Sequence, residues 1–218
     1  MPSLELDGVS IVLLGLFNPA IFQPMWFKAH GLIRGDEAES AQKITVISPE
    51  ISQFKIGEFM MEVWRERFMA STNDATLFQP LRDLVIGAFS LLEHTPIKAI
   101  GINRTMHFSI ADIDTLNRFG DFLAPKDSWK ELMDTPGLAV MIMKYPRANP
   151  EGEINVRIEA SQKVIPGVYF DVNNHYELKK EETEVEGTMK AINVLKDNWE
   201  PGLLFSLKIA EHLLGRDY

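Results

Sequence analysis

The chain contains no cysteine, which removes disulfides, thiolate zinc sites, iron–sulfur clusters and cysteine nucleophiles together. Its five histidines, His30, His94, His107, His175 and His212, are widely spaced, with no pair at the helical or strand spacing of a local metal site. No metal and no cofactor is expected. A Walker A loop, Gly-x-Gly-x-x-Gly, a Gly-x-Ser-x-Gly elbow and His-Glu-x-x-His are also missing. No catalytic residue can be named from a signature, and a non-enzymatic role is favoured.

Positive charge is scarce. Lys and Arg number 22 against 31 Asp and Glu, a net charge of −9, and the densest basic cluster, Arg65 and Arg67, alternates with Glu62 and Glu66. Such a surface repels a phosphate backbone at long range, which argues against nucleic acid as a partner. The longest apolar run, Ile11 to Phe17, falls far short of the roughly 20 residues that cross a bilayer as a helix. The opening Met1-Pro2-Ser3-Leu4-Glu5-Leu6-Asp7 lacks the basic start of a signal peptide. The expectation is a soluble, cytoplasmic protein without a membrane partner.

What is present is a layout that occurs twice, from Val9 to about His94 and from Ile97 onward. In the first copy, Val9 to Leu16 reads as a strand buried on both faces in mid-sheet. Gln23-Pro24 opens a helix that Gly35 stops, and Asp36 to Lys43 is charged and solvated. Two strands follow, Ile44 to Ile56 and Phe59 to Ala70, the second placing Met61, Val63, Arg65 and Arg67 opposite Met60, Glu62, Trp64 and Glu66. Asn73-Asp74 caps an amphipathic helix with Leu77, Leu81, Leu84, Val85, Ala88 and Leu92 at helical spacing.

The second copy opens with the strand Ile97 to Ile110, in which Gly101 marks a bulge or a close backbone approach. Asp112 caps a helix, and strands follow at Leu138 to Tyr145, Ile154 to Ser161 and Val168 to Glu177. After the charged stretch Lys179 to Glu186, a closing amphipathic helix breaks at Pro201-Gly202. The pattern predicts an α+β fold of two β-α-β-β-α-like halves, residues 1–95 and 96–218. They would share a largely antiparallel twisted sheet with helices on one face, as one compact domain.

Strand alternation gathers the candidate binding residues. Tyr169, Asp171, Asn173 and His175 share one strand face, as do Asn103, Thr105 and His107. If the two strands are neighbours, Asn103, His107, Asp171 and His175 form one polar surface on the sheet face away from the helices. Asp171 with His175 could supply general acid/base chemistry, as in a hydrolase. Equally, the face could be simply solvated, or its polar groups could satisfy one another. Asp171 followed by Glu177-Leu178-Lys179 also has the order of the Asp…Glu-x-Lys metal set of many nucleases, a motif that the acidic charge disfavours. Trp64, on the face opposite Val63, is a candidate partner contact.

Three stretches carry a resemblance: Asn18-Pro19-Ala20-Ile21-Phe22-Gln23-Pro24-Met25-Trp26, then Thr95-Pro96-Ile97-Lys98-Ala99-Ile100-Gly101-Ile102-Asn103, and Pro166-Gly167-Val168-Tyr169-Phe170-Asp171-Val172-Asn173-Asn174-His175-Tyr176-Glu177. In these the chain resembles, over nearly its whole length, a family of bacterial hypothetical proteins with no assigned activity. The resemblance implies a bacterial, cytoplasmic origin and brings no catalytic residues. The leading expectation is a non-catalytic protein-interaction subunit of a bacterial cytoplasmic assembly, with itself or another protein as partner. The alternative is a binder of a small molecule in a cleft between the halves, and the third reading is a hydrolase using Asp171 and His175.

Overall fold

Nine strands form one antiparallel sheet in the computed structural model, which describes residues 2–41, 46–178 and 184–216. In chain order they are β1 (Ser3–Gly15), β2 (Val46–Ile47), β3 (Ile51–Ile56), β4 (Phe59–Trp64), β5 (Arg67–Thr72), β6 (Ile97–Ser109), β7 (Val140–Ala148), β8 (Glu151–Ala160) and β9 (Gly167–Glu177). Across the sheet the order is β2-β3-β4-β5-β1-β6-β9-β8-β7, so the two 13-residue strands β1 and β6 meet at its centre. The helices are α1 (Pro24–Ala29), α2 (Gly35–Ala41), α3 (Phe78–Leu91), α4 (Ile113–Leu123) and α5 (Glu184–Leu214). The class is α+β.

Period-two patterning explains why the helices lie on one face. Val9, Ile11 and Leu13 of β1 are buried, and their neighbours in register continue inward as Ile100 and Ile102 of β6 and Ala70 and Phe68 of β5. Phe27 of α1 meets Phe54 of β3, and Phe119 of α4 meets Phe170 of β9, on that same side. Phe17, Phe22, Phe68 and Phe89 interlock at centroid distances of 5.0–6.3 Å. Each such side chain, fully buried, stabilises the fold by about 1.5–3 kcal/mol.

The core has two lobes, divided along the length of β6 and α5. Ile97, Ile100 and Ile102 join Leu195, Trp199 and Leu203 in one, while Met106, Phe108 and Ile110 join Ala210 and Leu214 in the other. At the boundary Arg104 reaches inward to Asp7, with Nε–H to Oδ1 at 2.9 Å and Nη2–H to Oδ2 at 2.6 Å, and donates through Nη1 to the carbonyl of Leu203 at 2.8 Å. This pair, both side chains nearly buried, ties β1, β6 and α5 together.

Several expectations are corrected. The run Phe59 to Ala70 is two strands: a turn at Arg65-Glu66 lets Val63 pair with Phe68, and both point inward. The turn reverses the parity, so Arg67 lies on the face of Trp64 rather than that of Val63. With this division three longer strands, β3 to β5, lie between α2 and α3 where two were expected, while β7 to β9 lie where three strands were read in the second half. Strand β1 is central but not buried twice over, since Ser10 and Val12 are half-buried and Leu14 is exposed on the second face. Gly35 begins α2 instead of ending α1, and Ala38 and Ala41 of that charged stretch are buried.

Pro201 does not break the last helix. α5 continues through it to Leu214, and the carbonyl of Gly202 accepts from Ser206 Oγ at 2.8 Å while the inward Asn174 amide also docks there on Ser206 Oγ at 3.2 Å. Side chains thus bond the backbone around the proline. The expected starts Ile44-Thr45 and Lys179 to Thr183 lie outside the described residues.

Candidate functional site

Among the described residues no helix covers the second face of the sheet, and the centre of that face is a trough. The floor runs along β1, β6 and β9 and its volume is about 340 Å³, with Ser10, Val12, Gly101, Asn103, Asp171, Asn173 and Arg67 among its walls. Register builds it in rows. Thr105 pairs with Asp171, Asn103 lies between Ser10 and Asn173, and Gly101 lies between Val12 and His175; Leu14 pairs with Arg67 at the far end.

Asn103 Nδ2 donates to Ser10 Oγ at 3.0 Å, which fixes that amide across the β1–β6 junction. Its Oδ1 is buried and accepts no hydrogen bond from the described residues, and the same holds for Asn173 Oδ1. Both oxygens point toward one spot. An ideal Cβ on Gly101 would lie 3.4 Å from Asn173 Oδ1 and 3.6 Å from Asn103 Oδ1. Glycine therefore keeps open the space onto which two unpaired acceptors converge. A buried acceptor without a donor costs about 1–3 kcal/mol, so a ligand that supplies donors relieves a cost already present.

The trough is electrically polar along its length. At one end Asp171 is half-buried and no hydrogen bond reaches its carboxylate from the described residues; Arg157, directly opposite on β8, gives its Nη2–H to Glu159 instead, at 2.7 Å. Burial raises the Asp171 pKa, Arg157 counters this, and Glu159 adds to it. The neighbouring Tyr169 hydroxyl is pushed up to about 12 by burial, with Asp171 and Glu159 contributing. At the other end Arg67 is exposed, its guanidinium 5.6 Å from the Trp64 ring centroid and its Nη2–H on Met69 Sδ.

Of the residues the sequence singled out, Asn103, Asp171, Asn173 and His175 line this trough. His175 Nε2 is 2.9 Å from Glu177 Oε1. Asp171 and His175 stand four residues apart on one strand, about 14 Å, with Asn173 between them. At that spacing the two side chains are too far apart for a direct proton relay. His107 does not join the trough. It is 8% exposed, stacked against Tyr169 at 4.6 Å, and its Nδ1 is 2.8 Å from Ser161 Oγ. Ser161 Oγ accepts from the Lys163 and Val164 amides, leaving its own hydrogen for His107. His107 therefore organises the β8–β9 connection. Trp64 also lies outside the trough and meets it only through Arg67. Lys179 of the nuclease-like order lies outside the described residues.

Sequence reasoning missed Ser10, Val12, Leu14 and Arg67. Ser10 had a signal, being the lone hydroxyl in the apolar run Val9 to Leu16, and Arg67 was hidden by the parity change at the turn. Among the described residues no three His, Asp or Glu side chains gather as a metal site, and no helix is long and apolar enough to cross a membrane. No protein-family model and no curated protein matches the chain, so geometry alone carries what this site does.

Proposed function

We propose that this protein is a non-catalytic binding protein that holds a small ligand on the open face of the sheet, at the seam of two halves, residues 1–95 and 96–218. The observation that carries the reading is the pair of buried, unpaired oxygens, Asn103 Oδ1 and Asn173 Oδ1, converging above Gly101. Two halves are supported by the outward strand orders, β1-β5-β4-β3 on one side and β6-β9-β8-β7 on the other. A site on β1, β6 and β9 then draws on both halves. The test is equilibrium dialysis against a bacterial cell extract, with mass spectrometry of what the protein retains. Wild type is expected to retain a compound that Gly101→Val, whose side chain fills the convergence point, does not. Retention of nothing by wild type removes the reading.

A second reading, a protein-interaction subunit of a bacterial cytoplasmic assembly, is favoured by a different surface. The edge strand β7 exposes Ile142 (55%), Met143 (55%) and Tyr145 (62%), and its first residue, Val140, lines a pocket with the exposed Trp129 and Met133. Apolar side chains on the edge strand of the described sheet suit a partner that adds an extended segment along β7. Glutamate at Met143 and Tyr145 together should abolish any stable protein complex seen by light scattering and leave ligand retention intact.

A further inference from the structure

The trough specifies more than a volume. Its Asp171 end offers a carboxylate without a hydrogen-bond donor, and its middle offers the two unpaired amide oxygens. The opposite end offers the Arg67 guanidinium, with Val12 and Leu14 as an apolar wall between. A ligand complementary to this order has a cation at one end, hydrogen-bond donors along its length and an anion at the other end. An anionic ligand fails at Asp171, and a polyamine fails at Arg67.

Length narrows the choice. Asp171 and Arg67 lie three strands and six residues apart in the register, about 25 Å between Cα atoms at about 4.8 Å per strand and 3.4 Å per residue. Subtracting the two side chains and two charge-assisted contacts leaves about 10 Å, the span of about three extended residues. A peptide also alternates N–H and C=O groups along its backbone. Its N–H groups can meet the unpaired oxygens of Asn103 and Asn173.

We propose that the ligand is a short peptide of about three residues with free termini, lying extended along the trough. Its ammonium group sits at Asp171, its carboxylate at Arg67, and its central backbone groups on Asn103 and Asn173. The proposal rests on the small-ligand reading above and names the ligand's chemistry. Backbone and termini make the polar contacts, so recognition depends on length and free ends more than on side-chain identity.

The experiment is calorimetric titration of the whole protein with di-, tri- and tetra-alanine, N-acetyl-trialanine and trialanine amide. Trialanine is expected to bind best, and capping either terminus should weaken binding about tenfold or more, the loss of one charge-assisted pair. Asp171→Asn should remove the penalty of acetylation, and Arg67→Met that of amidation. Thermal melts of both variants establish that they are folded. Equal binding of free and capped peptides, indifference of either penalty to its variant, or no binding by any of the peptides overturns the proposal. If dialysis shows a retained compound that Gly101→Val loses and that is not a linear zwitterion, the small-ligand reading stands and this one falls. If wild type retains nothing, both fall.

Discussion

Asp171 is ionisable, half-buried and without a hydrogen-bond donor among the described residues, and this has a consequence for stability against pH. Burial raises its pKa in the folded chain, so the folded state holds the proton more tightly than the unfolded state does. The stabilising contribution is therefore present at acid pH and lost as pH rises above the unfolded value of about 3.9 and through the raised folded one. Asp171→Asn should melt at or above the wild-type temperature at pH 7, with the difference vanishing at the acid end. A variant clearly less stable than wild type at pH 7 would show that the carboxylate is held by a partner. His107 has the opposite sign. Burial first, and Lys163 second, lower its pKa, so its contribution is present above about pH 6.5 and lost as pH falls. His107→Ala leaves the Ser161 hydroxyl without its acceptor and should cost about 1–3 kcal/mol in urea denaturation at pH 7. His175, whose ring pairs with the exposed Glu177, should cost much less as alanine.

The elements themselves were largely readable, and the failures have local causes. Alternation locates β8 and β9 because each fully buries one face only, and Asp112 announces α4 by accepting the Thr115 amide at 2.7 Å. At Arg65-Glu66 a tight turn carries no glycine or proline, so the residues on either side read as one strand and the parity reversal stays hidden. At Pro201 the usual helix-breaking rule is overridden by α5's packing against the sheet and by Asn174 and Ser206. The candidate site was legible where polar residues alternate, and illegible where it depends on which strands are neighbours. Nothing local pairs Ser10 with Asn103 across 93 residues. The same packing makes a prediction for α5. Gly187 lets the helix approach β6 so closely that a Cβ there would lie 2.4 Å from the carbonyl oxygen of Ile97. Gly187→Ala gains helix propensity but forces the helix off the strand, and should destabilise the protein by about 1–3 kcal/mol, measured as a lower urea midpoint. Unchanged or raised stability would mean that the helix end shifts freely.

For the whole molecule the question is whether residues 1–95 and 96–218 can come apart. The interface between them is the β1–β6 ladder, paired from Ser3↔Ser109 to Gly15↔Ile97, so separating the halves splits the sheet at its centre. The core does not follow the halves either. Trp199 and Leu203 of α5 lie in the same lobe as Val9, Phe68 and Phe89, and Arg104 reaches back to Asp7. Freeing either half exposes that lobe and leaves a nearly buried ion pair without its partner, a loss of about 3–5 kcal/mol for the pair alone. That is a large share of the roughly 5–15 kcal/mol that stabilises a domain. The expected outcome is therefore one cooperative transition, despite the proposed division of the chain into two halves. Urea unfolding followed by far-ultraviolet circular dichroism and by tryptophan fluorescence should give coincident curves, the second signal summing Trp26 and Trp64 of one half with Trp129 and the fully buried Trp199 of the other. Two separated midpoints would show that the halves hold their structure independently, and the seam on which the ligand site depends would then be a joint between two domains.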